Sequence, residues 1–130
     1  AEHHVGPGHP GPEGRASARA AEMGGAVSSG ITLPEVKADR TSAWAQYTLS
    51  IPNRETVQAQ LKQAGIPTAV YYPVPLYRQP VFEGSGAKPE DFPNCEALQS
   101  RVLSLPMHPY LTHADQDRIS DALDRAVRAA

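Results

Sequence analysis

Residues 44–72 read WAQYTLSIPNRETVQAQLKQAGIPTAVYY and predict, in order, a strand, a helix and a second strand. From Trp44 to Ile51 apolar and polar side chains alternate, which is typical of a strand with one buried face. Trp44 itself falls on the polar face of this pattern. The predicted buried face consists of Ala45, Tyr47, Leu49 and Ile51, and the opposite face of Gln46, Thr48 and Ser50.

The middle of the same segment predicts a helix with recognisable ends. Asn53 is a residue type that commonly caps a helix N-terminus, and Gly65 stands where a left-handed residue often ends a helix. Between these two positions, Val57, Leu61 and Ala64 recur on one side. That side of the helix is expected to face the core.

Residues 68–72 predict a second strand, which follows Pro67 and is largely apolar. A strand, a helix and a strand in this order are compatible with either parallel or antiparallel pairing. Leu103 and Leu105 suggest another short, buried strand that ends at Pro106, because proline has no N–H to donate. The chain therefore predicts an α+β fold in which a small sheet packs with helices.

Two further helices are predicted in the second half of the chain. Asn94 can cap a helix in which Leu98 and Val102 recur four residues apart. Thr112 and Asp115 resemble a capping box at the start of the final helix, with Asp in place of Glu. The apolar stripe of the final helix consists of Ile119, Ala122, Leu123, Ala126 and Val127.

A stiff aromatic run, YYPVPLYRQP, occupies residues 71–80. Each proline restricts its own backbone and that of the preceding residue to extended geometry. Tyrosine joins a flat apolar ring to a polar hydroxyl, which suits stacking on a sugar or cofactor ring. The alternative is a proline-rich loop whose tyrosines cover an edge of the core. Residues 79–93, which include Gly84 and Gly86, predict an exposed loop.

Composition limits the kind of protein this chain can be. Its 130 residues, 40% hydrophobic and 20% charged, are enough for one domain with a modest core. The formal net charge of -2 and the scattered basic residues argue against a nucleic-acid partner. With no apolar run long enough to cross a bilayer and no secretory leader, we expect no membrane partner and a cytoplasmic location. Cys95, the single cysteine, is expected to be a small buried residue.

Residues 1–30 differ in composition from the rest of the chain. They are rich in Gly, Pro, Ala and Ser and show no sustained helix or strand period. We therefore expect a low-complexity, disordered leader at residues 1–30 and a folded domain at residues 31–130. His3, His4 and His9 invite a metal interpretation, but a flexible tail does not hold ligands in a fixed geometry, so no metal site is predicted.

Three blocks of the folded part resemble the C-terminal small domain of DegT/DnrJ/StrS-type aminotransferases. They read TSAWAQYTL at residues 41–49, GIPTAVYYPVPLY at residues 65–77 and LSLPMHP at residues 103–109. The blocks occur in the family's order, and the resemblance runs from near Ile31 to the end. It implies the small domain of a fold type I pyridoxal 5'-phosphate (PLP) enzyme, with an antiparallel sheet and without the large domain.

The resemblance also implies an activity and a substrate. Family members aminate oxo groups on nucleotide-linked sugars, and this chain is most similar to those acting on UDP-linked 3-oxo uronic sugars. In such enzymes the positions of Tyr71, Tyr72 and Tyr77 lie near the sugar and cofactor, at a site completed by a second subunit. Many members have His in place of Tyr71 and Tyr77. This difference matters for proton transfer, because the pKa of a phenol lies about three units above that of an imidazole. Arg78 is a candidate partner for a uronate or diphosphate, and Gln79 a candidate hydrogen-bond donor.

Transamination with PLP requires a lysine, an acid for the pyridinium nitrogen and a phosphate cradle. Lys37, Lys62 and Lys88 have no predicted buried setting that would lower an amine pKa. In the resembled family these groups belong to the large domain, so we expect no catalytic or cofactor-binding residue here. The complete enzyme would hold PLP, form a homodimer and take an amino group from glutamate, and the fragment alone would be inactive.

Two alternatives remain open. One is a stand-alone module that binds a sugar nucleotide or another protein. The other is the small domain of a related sugar dehydratase, in which the lysine is replaced.

Overall fold

The computed structural model describes residues 30–130. Strand β1 covers Tyr47–Ser50, helix α1 covers Arg54–Gln63, helix α2 covers Pro93–Gln99, strand β2 covers Val102–Leu105, and helix α3 covers His113–Ala129. Single 3-10 turns lie at Leu76–Arg78, Pro80–Phe82 and Pro89–Asp91. The predicted α+β class is confirmed. The expectations for residues 1–29, including the three histidines, lie outside the described residues.

Strands β1 and β2 pair antiparallel, as the resemblance implied. Tyr47 lies opposite Leu105, and Leu49 opposite Leu103. Single antiparallel bridges extend the sheet on both sides, Thr32 to Ser50 and Ala69 to Ser104. The two strands therefore form the centre of a narrow sheet.

The first strand is shorter than predicted, because it begins at Tyr47 rather than at Trp44. Trp44 has a φ of 43°, in the left-handed region, which interrupts the extended backbone that alternation requires. Its ring packs on Tyr47 with 4.9 Å between ring centroids, so Trp44 contacts the core instead of lying on a polar face. Ala45 is exposed and does not join the buried face.

The predicted strand at residues 68–72 is wrong. Only Ala69 pairs with the sheet, through two backbone hydrogen bonds with Ser104 of 3.1 and 2.8 Å. Pro67 and Pro73 border this segment, and neither has an N–H for a ladder. The segment therefore leaves the sheet after one bridge and becomes exposed from Tyr71 onward.

Helix α1 has the predicted position. Asn53 precedes its first residue, but its side chain makes no hydrogen bond to the first turn, and Asn53 adopts a φ of 49°. At the other end, Gly65 has a φ of 74° and donates to the Lys62 carbonyl, while Ile66 donates to the Leu61 carbonyl. These two bonds form a Schellman motif, which needs the left-handed residue that glycine supplies. Val57 and Leu61 face the core, whereas the predicted Ala64 is exposed.

Helix α2 differs from the sequence prediction. It begins at Pro93, so Asn94 lies inside the first turn and is not its cap. The helix ends at Gln99, which leaves Val102 in β2, and Leu98 is exposed. Cys95 is also exposed, contrary to prediction, because its short helix buries none of its residues.

The final helix, α3, confirms its predicted capping box. The Asp115 N–H donates to the Thr112 hydroxyl oxygen at 3.1 Å, and the Thr112 N–H donates to the Asp115 carboxylate at 3.0 Å. The apolar stripe faces α1 and joins a single core. The buried core consists of Tyr47, Leu49, Ile51, Val57, Leu61, Ile66, Leu103, Ala122, Leu123 and Ala126. Among residues 30–130, no helix is both long and apolar enough to cross a membrane.

Candidate functional site

An open cleft of about 240 Å³ lies beside the sheet edge at Ala69. The Ala69–Ser104 bridge fixes one wall, and the Ser104 hydroxyl is held 2.7 Å from the Thr48 hydroxyl. Thr68 accepts a hydrogen bond of 3.2 Å from the Gln58 amide of helix α1. The cleft is lined by Ala45, Gln46, Pro67, Thr68, Ala69, Tyr71, Ser104, Leu105, Pro106 and Met107.

Of the five predicted substrate-binding residues, only Tyr71 lines this cleft. Its side chain is 44% exposed, and its ring meets that of Tyr72 edge-on with 5.7 Å between centroids. Tyr72 is 72% exposed and is not part of the lining. Tyr71 is thus the aromatic residue best placed to contact a ligand in the cleft.

Tyr77 and Arg78 belong to a different cluster, formed with helix α2. The ring of Tyr77 stacks on Phe92 at 4.8 Å between centroids, with an interplanar angle of 20°. Its hydroxyl hydrogen-bonds to the Glu96 carboxylate and accepts a bond of 3.0 Å from Arg78 Nε. Arg78 Nη2 donates to Glu96 Oε2 at 2.6 Å. We name Tyr77, Arg78, Phe92 and Glu96 the Glu96 cluster.

The Glu96 cluster changes the pKa of two of its members, Tyr77 and Arg78. Partial desolvation, followed by the hydrogen bond to Glu96, raises the pKa of Tyr77, whereas the neighbouring Arg78 acts in the opposite direction. The pKa of Arg78 is also raised, first by its hydrogen bond with Tyr77. Both shifts favour a protonated phenol and a charged guanidinium.

Gln79 donates through Nε2 to the Val74 carbonyl at 3.5 Å and does not line the cleft. The structure thus assigns Tyr71 to the cleft and Tyr77 and Arg78 to the Glu96 cluster. Sequence reasoning missed Glu96 and Phe92, which lie 15 or more positions along the chain from Tyr77. The only sequence signal was an acid following a Pro-rich aromatic run, which does not by itself specify a pairing.

His108 makes a local hydrogen bond. Its Nδ1 accepts a hydrogen bond of 3.2 Å from the Tyr110 N–H. His108 is absent from the lining of the cleft.

The three lysines are exposed, and none of them lines the cleft. A PLP site requires an amine and a phosphate cradle brought together. Among the described residues 30–130, those that line the cleft include no lysine that could supply this amine. The same residues contain no cluster of three or more His, Cys, Asp or Glu side chains that could hold a metal ion.

The chain belongs to the DegT/DnrJ/EryC1/StrS aminotransferase family, which it matches over residues 18–124. Aminotransferases of this family depend on PLP. The matched residues include both the cleft and the Glu96 cluster.

Several of the proteins similar to this chain are named aminotransferases or transaminases. The UDP-2-acetamido-2-deoxy-3-oxo-D-glucuronate aminotransferase of Pseudomonas aeruginosa is 47% identical over 94 residues, which cover 72% of this chain and 25% of the relative. A DegT/DnrJ/EryC1/StrS aminotransferase from Brucella abortus superposes with a TM-score of 0.75 and 41% identity, over 85% of this chain and 29% of that one. NtdA of Bacillus subtilis, solved with bound cofactor PMP, gives a TM-score of 0.70 at 25% identity, over 89% of this chain and 27% of that one. The chain thus spans between a quarter and a third of the length of these proteins.

Proposed function

We propose that this chain is the C-terminal small domain of a PLP-dependent aminotransferase that transfers an amino group from glutamate to a UDP-linked oxo-sugar. The product would serve amino-sugar or cell-surface polysaccharide biosynthesis in the cytoplasm. The large domain would supply the Schiff-base lysine and the cofactor site, and a second subunit of a homodimer would complete the substrate site. This chain would supply one wall for the nucleotide sugar.

The position of Tyr71 in the cleft carries this proposal. A tyrosine ring can stack on a sugar face while its hydroxyl bonds to a sugar substituent. The same cleft offers amide and hydroxyl groups from Gln46, Thr68 and Ser104 beside the apolar surface of Met107. This mixture of a largely apolar wall with a few polar groups suits a small, polar ligand such as a sugar.

Within this wall, the residues of the chain bind and orient the substrate. The Ala69–Ser104 bridge keeps the backbone before Tyr71 in place. The Gln58 amide holds the Thr68 hydroxyl, which leaves its proton available for a ligand acceptor. Fixing these groups before the substrate arrives lowers the ordering cost of binding.

Reconstitution tests the proposal. The full chain is mixed with a large-domain fragment that carries the lysine, and glutamate-dependent amination of a UDP-linked 3-oxo-sugar is measured. We expect activity only when both parts are present. Persistent inactivity with retained sugar-nucleotide binding would contradict the proposal and support a binding module.

The role of Tyr71 is tested in the same mixture. Tyr71→Ala should raise KM by about 3- to 10-fold, because the substrate loses one aromatic stacking contact. Tyr71→Phe should keep most of the ring's contribution. Tyr110→Ala serves as the control, because Tyr110 is 85% exposed and lies outside the cleft. Equal KM values for the Tyr71→Ala and Tyr110→Ala proteins would show that the cleft does not contact substrate.

A further inference from the structure

Glu96 joins Tyr77 and Arg78, two of the candidate substrate contacts that lie outside the cleft. Its two carboxylate oxygens interact with the Tyr77 hydroxyl and with Arg78 Nη2. A third bond, of 2.9 Å, comes from the Gln99 amide one turn later on α2. The Glu96 side chain is only 22% exposed, so this carboxylate is held from several directions.

Tyr77 uses its polar group within the chain. Its hydroxyl donates to Glu96 and accepts from Arg78 Nε, and one face of its ring lies on Phe92. The guanidinium carbon of Arg78 lies 5.8 Å from the centre of the same ring. The hydroxyl proton of Tyr77 is therefore used within the chain, in the bond to Glu96.

Arg78 retains a donor for a ligand. Its Nε and Nη2 bond to Tyr77 and Glu96, whereas Nη1 has no hydrogen-bond partner within residues 30–130. The side chain is 43% exposed. A guanidinium that is held by one edge presents its other edge in a fixed direction, which suits the planar oxygens of a carboxylate or phosphate.

We propose that Glu96 is a positioning residue of the sugar-nucleotide site, which orients Arg78 so that its Nη1 edge binds an oxyanion of the substrate. Tyr77 supports this arrangement and is not itself a substrate contact. The inference rests on the function proposed above. It extends the substrate wall from the cleft to helix α2, and it assigns a role to a residue that sequence reasoning left without one.

Glu96 could either position Arg78 or only neutralise its charge. These two roles predict opposite changes in the contribution of Arg78 to binding when Glu96 is replaced. If Glu96 orients Arg78, then Arg78 contributes less to binding once Glu96 is replaced. If Glu96 only reduces the positive charge, then Arg78 contributes more after the replacement. A double-mutant cycle separates the two, because it reports how far the effect of one substitution depends on the other.

The cycle is measured on the full chain by NMR titration with UDP-glucuronate. We expect Arg78→Gln to weaken binding about 10- to 150-fold, the usual effect of losing one charged hydrogen bond. In the Glu96→Gln background, the factor by which Arg78→Gln weakens binding should be less than half as large. Glu90→Gln is the matched control: Glu90 is an exposed acid of the 3-10 turn preceding α2, and the Arg78→Gln effect should be unchanged in its background.

The oxyanion that Arg78 binds is identified with a second ligand. UDP-glucose has the diphosphate of UDP-glucuronate but not its sugar carboxylate. If Arg78→Gln weakens only UDP-glucuronate, the partner is the carboxylate. If it weakens both ligands equally, the partner is the diphosphate. Either result supports an oxyanion contact at Nη1.

A ligand-free measurement tests the contact between Glu96 and Tyr77 on which this arrangement depends. The charged groups that contact the Tyr77 hydroxyl are Glu96 and Arg78. Because Glu96 raises and Arg78 lowers the pKa of Tyr77, Glu96→Gln should lower this pKa in a 13C-tyrosine NMR titration. Glu90→Gln should leave it unchanged, and the remaining tyrosine signals report that the variants are folded.

Three results would overturn the inference. They are an unchanged Tyr77 titration in the Glu96→Gln protein, an Arg78→Gln effect as large or larger in the Glu96→Gln background, and no change of the Arg78 signals with either nucleotide sugar. None of them bears on the recovery of amination in the reconstituted complex. Conversely, absent amination alongside a coupled Arg78 and Glu96 would count against the proposed function alone.

Discussion

Leu103 shows how single residues hold this small core together. It is fully buried in β2, and its register partner Leu49 in β1 is 1% exposed. Two large aliphatic side chains thus meet on the core face of a two-stranded sheet. Leu98, only five positions earlier, is 45% exposed on α2. Leucine is therefore expected to contribute much more to the stability of the fold at position 103 than at position 98.

Leu103→Ala should reduce the free energy of unfolding by about 2–5 kcal/mol, because it removes buried methyl groups and leaves a cavity. Leu98→Ala is the control, and its effect should stay within about 0.5 kcal/mol, as for most surface substitutions. Urea denaturation followed by circular dichroism measures both. Similar losses for the two variants would contradict the assigned core.

At the scale of elements, the start of α3 is fixed by a local pair of residues. The α3 capping box joins Thr112 and Asp115 across three positions, and the Thr112 hydroxyl also donates to the Asp115 carboxylate at 2.7 Å. These bonds, led by that of the Thr112 side chain, hold the pKa of Asp115 below its ordinary value of 3.8. An ionised acid at this end is also favoured by the helix dipole.

A lowered folded pKa gives a defined pH dependence. The stability contributed by ionised Asp115 is fully present above the ordinary value of 3.8 and is lost as the pH falls through the lower folded value. Asp115→Asn should therefore destabilise the chain most near neutral pH, and the difference from wild type should shrink under acid conditions. Thermal unfolding of both proteins between neutral pH and about pH 2 measures this difference in stability.

Asp121→Asn serves as the control for this pH effect. Asp121 is an exposed acid on the same helix, outside the capping box. Its replacement should give no comparable pH-dependent difference. A difference between the Asp115→Asn protein and wild type that grows on acidification would refute the role assigned to the capping carboxylate.

At the scale of the whole molecule, the segment from Tyr71 to Phe82 exposes apolar side chains beside a well-packed core. Leu76 is 72% exposed and Val81 is 81% exposed. Apolar surface of this kind often marks an interaction site. The proposed large domain and second subunit are the partners that we expect to cover it.

The full chain is therefore expected to self-associate weakly in isolation. Leu76→Ser combined with Val81→Ser should reduce this association in sedimentation velocity experiments at increasing concentration. Tyr110→Ser is the control, because Tyr110 is equally exposed but lies outside the segment. A chain that sediments as a compact monomer at all concentrations and melts in one sharp transition would contradict the expectation.

Local sequence patterns determined the features whose partners lie within one or two turns of the chain. The α3 capping box and the end of α1 at Gly65 were predicted at the observed positions, because their hydrogen bonds join residues at most five positions apart. The buried alternation of Tyr47, Leu49 and Ile51 was also visible, because a strand with one buried face must place apolar residues at every second position. The resemblance of three ordered blocks identified the family.

Tertiary structure alone decided the features that depend on distant partners. Trp44 leaves the strand pattern by adopting a left-handed backbone while its ring packs on Tyr47, and residues 68–72 pair with the sheet at Ala69 only. The separation of Tyr71 from the Glu96 cluster depends on how the exposed loop meets α2. No local propensity encodes that contact, because Tyr77 and Glu96 are 19 positions apart and meet only when the chain between them has folded back.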